Sequence, residues 1–167
     1  TWLVVGAPLG YSMDGESGLV FIYRKRSDGW WVFHSLLPDA VSPELHAGFL
    51  GARVALSGDL IAVGTSDDDT YWPTSRVIMY RYHPASDAWK QEAVIQPPPG
   101  RPDQKFGLEL ALEGDLLAAT CSISNPGVGL YRRTASGWEF ETVLDGYYSA
   151  VSLDGGRLLA GSPYGNG

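Results

Sequence analysis

Residues 49–64, FLGARVALSGDLIAVG, occur three times in this chain in related form. The segment returns as FGLELALEGDLLAAT over residues 106–120 and as AVSLDGGRLLAG over residues 150–161, and a partial copy, WLVVGAP, opens the chain at Trp2. Aligning residues 6, 64, 120 and 161 gives spacings of 58, 56 and 41 residues. Self-similarity at such periods is typical of propeller-like arrays of β-sheets. Because repeat arrays usually present binding surfaces, the pattern favours recognition over catalysis.

Within the central copy, alternating apolar and polar side chains predict one antiparallel sheet of four strands. The first two strands are joined by a tight turn at Gly58, since glycine accepts the positive φ that a two-residue hairpin needs. Proline from Pro97 onward stops the pairing after the fourth strand. The four predicted strands cover residues 53–57, 60–63, 76–82 and 89–95.

The same strand order recurs on both sides of the central copy. The third and fourth strands are predicted at residues 18–24 and 30–37 upstream, and at residues 127–133 and 138–144 downstream. No window has the sustained 3.6-residue period of a helix, so the prediction is all-β. We expect one segment of repeated sheets over residues 1–167, divided at about 1–48, 49–105, 106–147 and 148–167.

The composition restricts the partners. With 12 basic and 19 acidic residues the formal charge is −7, which disfavours binding to nucleic acid or to an anionic membrane surface. No stretch reaches the ~18 apolar residues of a spanning helix, so we expect no membrane insertion. The single cysteine, Cys121, cannot form an internal disulfide and therefore gives no indication of the compartment.

The repeated motifs resemble those of the FG-GAP repeat family. Phe106-Gly107 is similar to the FG element and Val5-Gly6-Ala7-Pro8 to the GAP element, whereas Ala119-Thr120-Cys121 retains only small residues. The resemblance spans nearly the whole chain. It implies an integrin-α-like β-propeller of four-stranded blades in an extracellular or cell-surface protein, with adhesion or structural assembly as its function.

The array is expected to be a partial propeller. Propellers typically close with about 4–8 blades, and the sequence has two complete repeats with a partial one at each end. The two ends could share one blade and close a small ring. We favour an arc of a larger propeller, or a piece completed by other copies, because exposed blade faces would otherwise be large apolar patches.

The resemblance also raises the question of calcium. Integrin-type repeats hold this ion in a D-x-D-x-D-G-x-x-D loop, which is absent here because the corresponding turns, such as Glu113-Gly114-Asp115, are too short. The cluster Asp67-Asp68-Asp69 lies in a different loop, and a solvated acidic loop is favoured over a calcium site there. No metal site and no cofactor are predicted.

Loop aromatics and acids form the predicted binding patch, because exposed aromatic side chains are common anchors for proteins and sugars. If two equivalent loops lie on one rim, the patch consists of Tyr11, Asp14, Asp67, Asp69, Tyr71 and Trp72. The alternative that the loop aromatics pack locally is equally open. Four tryptophans begin the fourth strands, which favours packing between blades over a binding ladder; they are Trp30, Trp31, Trp89 and Trp138.

Two functions from different classes follow. The first is a non-enzymatic cell-surface module for protein–protein interaction, adhesion or structural assembly, with other proteins or further blades of the same parent chain as partners. The alternative is a lectin-like module that stacks glycans on Tyr71 and Trp72. An enzyme ranks last, because the histidines lack metal-ligand spacing and no Gly-x-Ser-x-Gly motif is present.

Overall fold

The chain folds into four antiparallel sheets that follow one another along the sequence. The computed structural model describes residues 1–11, 17–37, 50–65, 75–101, 105–121 and 126–162. Within each sheet the strands are adjacent in chain order, as expected for strands joined by hairpins. Apart from a short 3₁₀ turn at Pro84–Ser86, the described residues contain no helix. None of them therefore forms a helix that could cross a membrane.

The strand boundaries define the sheets. Sheet 1 contains β1 (Trp2–Tyr11), β2 (Ser17–Lys25) and β3 (Trp31–Leu36). Sheet 2 contains β4 (Leu50–Ser57), β5 (Leu60–Thr65), β6 (Arg76–His83) and β7 (Ala88–Ile95). Sheet 3 contains β8 (Leu110–Glu113), β9 (Leu116–Cys121), β10 (Gly127–Thr134) and β11 (Gly137–Asp145). Sheet 4 contains β12 (Ala150–Asp154) and β13 (Arg157–Gly161).

The all-β prediction is confirmed, and sheets 2 and 3 are the expected four-stranded antiparallel sheets. Three apolar clusters join successive sheets: one lies between sheets 1 and 2, one between sheets 2 and 3, and one between sheets 3 and 4. This succession fits an arc of a β-propeller. The described residues do not form a closed ring.

The second strand of sheet 2 shows why the sheets stack. All six residues of β5 are buried, as the uninterrupted apolar run in the sequence predicts for a strand covered on both faces. Ile61 and Val63 pack toward sheet 1, whereas Leu60 and Ala62 pack toward sheet 3. Successive side chains on a strand point to opposite faces, so one strand contributes to two cores.

A β-bulge recurs in the last strand of sheets 1, 2 and 3. The pairing register shifts once in each of these strands, which leaves one residue outside the pairing. The side chain of each bulge residue contacts an arginine on the neighbouring strand; the pairs are Arg24–His34, Arg81–Glu92 and Arg132–Glu141. The Tyr-Arg step that β2, β6 and β10 share therefore supplies a partner for the bulge residue.

Two pairs of glycines bring neighbouring sheets into backbone contact. Gly51 and Gly107 have φ values of +86° and +80°, which glycine adopts without strain. A Cβ on Gly64 would lie 2.7 Å from the carbonyl oxygen of Gly107, and a Cβ on Gly6 would overlap the carbonyl oxygen of Gly51. The Phe-Gly or Leu-Gly step that begins a sheet thus lies against a glycine of the preceding sheet, Gly6 on β1 or Gly64 on β5.

This contact yields a prediction for Gly64→Ala. The added methyl group meets backbone rather than a flexible side chain, so we expect the free energy of unfolding to fall by about 1–3 kcal/mol, as for other overpacked sites. Gly161→Ala is the matched control at the same position of the repeat, because its Cβ would meet only the Ala150 Cβ, at 3.7 Å. Urea denaturation of both variants is the measurement. An equal loss of stability in the two variants would contradict the role of the contact.

Candidate interaction surface

The predicted binding patch lies almost wholly outside the described residues. Tyr11 is the last residue of β1, and the other five members fall in undescribed loops; they are Asp14, Asp67, Asp69, Tyr71 and Trp72. The patch, the glycan-binding alternative and the acidic loop therefore stay predictions. Within the described ranges, no group of three or more histidine, cysteine, aspartate or glutamate side chains is arranged to hold a metal ion.

A polar cluster joins sheets 1 and 2. Arg24 on β2 donates hydrogen bonds to the Asp87 carboxylate and, at 2.8 Å, to the Tyr82 hydroxyl. Its guanidinium carbon lies 4.5 Å from the centre of the Trp2 ring, a cation–π distance. The Trp2 ring also contacts the ring of His34, with centroids 5.0 Å apart. Arg24 therefore contacts side chains of both sheets, and its positive charge is paired with the Asp87 carboxylate.

The carboxylate of Asp87 is the centre of this cluster. It accepts hydrogen bonds from Arg24 and, at 2.5 Å, from the Tyr82 hydroxyl, and one of its oxygens lies 3.2 Å from His34 Nε2. The hydrogen bond from Arg24, followed by those from Tyr82 and His34, holds the pKa of Asp87 well below its ordinary value of 3.8. The hydrogen bond to Asp87 in turn raises the pKa of Tyr82.

A second polar cluster joins sheets 2 and 3 around Glu92. Its carboxylate accepts hydrogen bonds from Arg81 Nε and Arg133 Nε, each at 2.5 Å, and from Trp138 Nε1 at 3.1 Å. Burial raises the pKa of Glu92, but the hydrogen bonds from Arg133 and Arg81 outweigh this effect and lower it. Both clusters connect neighbouring sheets, so their perturbed groups have a structural explanation.

An apolar surface remains on the side of sheet 1 that faces away from sheet 2. It includes large side chains with substantial exposure, and the side chain of Phe33 is 57% exposed. Strand pairing places the members opposite one another, with Leu3, Tyr23 and Phe33 in one row and Val5, Phe21 and Leu36 in the next. We call this surface the outer face of sheet 1; its residues are Leu3, Val5, Phe21, Tyr23, Trp31, Phe33 and Leu36.

The corresponding positions of sheet 2 are buried, because sheet 1 precedes sheet 2 and covers them. In sheet 2 the pairing Ile61–Tyr80 corresponds to Leu3–Tyr23, and Val63–Ile78 corresponds to Val5–Phe21. These residues of sheet 2 are fully buried beneath sheet 1; they are Ile61, Val63, Ile78 and Tyr80. The outer face of sheet 1 is therefore of the kind that a preceding sheet covers within this chain.

The tryptophans of the fourth strands differ in environment. Trp89 is buried between sheets 1 and 2, and Trp138 packs against the core between sheets 2 and 3, as predicted. The prediction is not confirmed for Trp30 and Trp31, which are 74% and 40% exposed. The reason is their position, because no described sheet covers sheet 1 on that side, whereas sheets 1 and 2 cover the other two tryptophans.

Sequence reasoning anticipated uncovered blade faces in general but did not identify these residues as a site. The sequence feature that could have identified them is the partial first repeat, because no described sheet precedes sheet 1. In comparisons with known proteins, no family model matches this chain and no curated protein matches it.

The Asp87 cluster predicts a pH dependence. A lowered carboxyl pKa in the folded protein contributes stability above the unfolded value, and this contribution is lost as the pH falls through the folded value. Asp87→Asn should therefore reduce stability at pH 7, and its difference from the original protein should shrink between about pH 4 and pH 2. Asparagine also tolerates the left-handed backbone at this position, where φ is +48°.

Thermal unfolding of both proteins across this pH range measures the effect. Asp28→Asn, in the exposed turn of sheet 1, is the matched control for the loss of one surface carboxylate. A difference between the original protein and Asp87→Asn that stays constant from pH 7 to about pH 2 would contradict the assignment.

Proposed function

We propose that this chain is a non-enzymatic, propeller-type module of a cell-surface structural or adhesive assembly, which acts by protein–protein contact. The observation that carries the proposal is the outer face of sheet 1. The resemblance to FG-GAP repeats supports the extracellular or cell-surface location and the propeller architecture. The partners are other proteins, further copies or further blades of the same parent protein.

The composition of the outer face supports a protein partner. Monomeric proteins rarely expose contiguous apolar patches larger than a few hundred Å², and aromatic side chains are enriched at the centres of protein interfaces. Phe33 lies in edge-to-face contact with Phe21 and Tyr23, at ring distances of 6.5 and 6.0 Å. These contacts hold the aromatic rings in place before a partner binds, which lowers the entropic cost of association.

The shape of the face supports the same conclusion. Its side chains stand on three adjacent antiparallel strands, so they form a broad surface rather than a closed pocket. Sheets pack face to face at about 10 Å through such surfaces. Another sheet is therefore a suitable partner, as sheet 2 is for the opposite side of sheet 1.

Association in solution tests the proposal. The chain has a mass of 18.1 kDa, and we expect light scattering to give a larger, concentration-dependent mass because the outer face is covered by association. Phe33→Glu should shift the mass toward 18.1 kDa, since a buried, unpaired carboxylate opposes the contact.

Tyr147→Glu is the control for this experiment, because Tyr147 is an exposed aromatic residue between sheets 3 and 4. It should leave the association unchanged. Circular dichroism checks that each variant keeps the β-sheet spectrum of the original chain. A folded original chain that stays at 18.1 kDa at every concentration would refute association between copies of this chain through this face.

A further inference from the structure

Sheet 4, at the other end of the arc, has an uncovered face of its own. The side chains of Val151, Leu153, Leu158 and Ala160 pack toward sheet 3. The opposite side, which we call the outer face of sheet 4, presents Leu159 with 72% of its surface exposed. Its other residues are Ala150, Ser152, Asp154, Arg157 and Gly161.

The strand register shows which sheet covers the corresponding faces of sheets 2 and 3. Leu159 corresponds to Ala62 of sheet 2 and to Ala118 of sheet 3, because each lies two residues before the aligned position at the end of its strand. Ala62 is buried beneath sheet 3 and Ala118 beneath sheet 4. In both cases the next sheet along the chain provides the cover.

The two outer faces are thus the two unlike halves of one kind of junction. Building on the proposed function, we propose that copies of this chain associate head to tail, with the outer face of sheet 4 of one copy against the outer face of sheet 1 of the next. A contact between two different faces is heterologous, so it leaves a free face at each end and permits a ring or a longer chain of copies.

Leu159, the large apolar residue of the outer face of sheet 4, has a counterpart in a junction that already exists in the structure. Between sheets 1 and 2, Val4 packs against the cluster that contains Ile61, Val63, Ile78 and Tyr80. Leu159 corresponds to Val4 in the register. The residues that correspond to the cluster are Leu3, Val5, Phe21 and Tyr23 on the outer face of sheet 1. A leucine would therefore enter a surface of the same character as the one that receives a valine.

A polar contact of the internal junctions has its counterpart as well. Ser57 Oγ accepts a hydrogen bond from the backbone nitrogen of Gly114 at 2.9 Å. The Glu113 carboxylate, at the same position of sheet 3, accepts from the backbone nitrogens of Gly155 and Gly156 at 2.7 and 2.9 Å. In each junction the residue that ends the first strand binds the turn of the next sheet.

Asp154 is the equivalent residue of sheet 4, and it is exposed. Gly156 stands at the same position of the repeat as Thr1. The carbonyl oxygen of Thr1 accepts a hydrogen bond from the backbone nitrogen of Lys25. The carbonyl oxygens of Asp59 and Asp115 accept equivalent hydrogen bonds from backbone nitrogens of β6 and β10. The head-to-tail contact therefore brings the nitrogen of Thr1 of one copy to the Asp154 carboxylate of the other. Hydrogen bonds to a charged group are stronger than those between neutral groups, so this contact favours the register that the internal junctions have.

Two variants with opposite defects test the proposal. Leu159→Glu blocks the outer face of sheet 4, and Phe33→Glu blocks the outer face of sheet 1. Both side chains are more exposed than buried, so neither change should unfold the chain. Each variant alone should have a mass of 18.1 kDa by light scattering, whereas the original chain forms larger species.

An equimolar mixture of the two variants gives the decisive result. One intact face remains on each variant, so the mixture should form a dimer of twice 18.1 kDa and nothing larger. Tyr147→Glu alone is the control for the added charge, because both of its outer faces are intact and it should associate like the original chain.

The alternative outcomes separate the two proposals. If Phe33→Glu is monomeric but Leu159→Glu associates like the original chain, the outer faces of sheet 1 pair with each other, and the head-to-tail arrangement is wrong while the proposed function stands. If both variants are monomeric and their mixture stays monomeric, the head-to-tail arrangement is also overturned. A monomeric original chain overturns the head-to-tail arrangement and leaves other proteins or further blades of the parent protein as the partners of the proposed function.

Discussion

The requirement that a central sheet bury both of its faces determines the structure. Every residue of β5 is buried, and neighbouring residues of this strand belong to different apolar clusters. A sheet of this kind cannot be stable by itself in water, because either face alone would expose a row of aliphatic and aromatic side chains. Stacking in series follows from this requirement, and each sheet depends on the sheets before and after it.

Close approach of the backbones makes this stacking specific. Gly64 lies against Gly107, and Gly6 lies against Gly51, so a side chain at either position would separate the sheets. Polar clusters around Asp87 and Glu92 add contacts between the same pairs of sheets. A glycine contact, an apolar core and an ion-pair cluster together fix the register of sheet 2 against sheet 1 and of sheet 3 against sheet 2.

Much of the fold was accessible from the sequence because the repeat makes each element appear several times. Gly58 and Gly114 both mark tight turns, and both have the positive φ that such turns need. The bulges at His34, Glu92 and Glu141 were not predicted. An extra residue shifts the alternation of faces by one, so Trp89 and Ile95 pack on opposite sides of sheet 2 although an even number of residues separates them. The exposure of Trp30 was not predicted either, because local pattern does not show whether a neighbouring sheet is present. The predicted loop patch falls on residues outside the described ranges, so the sequence and the structure address different surfaces.

The unequal number of neighbours gives the arc a gradient of local stability. Sheets 2 and 3 each have four strands and two neighbours, whereas sheet 4 has two described strands and one neighbour. In quasi-one-dimensional arrays, free energy comes from units and from the interfaces between them, so units at the ends open at lower cost. Amide hydrogens of β12 and β13 should consequently exchange with solvent earlier than those of β5 and β9, and unfolding should proceed inward from the termini of the arc.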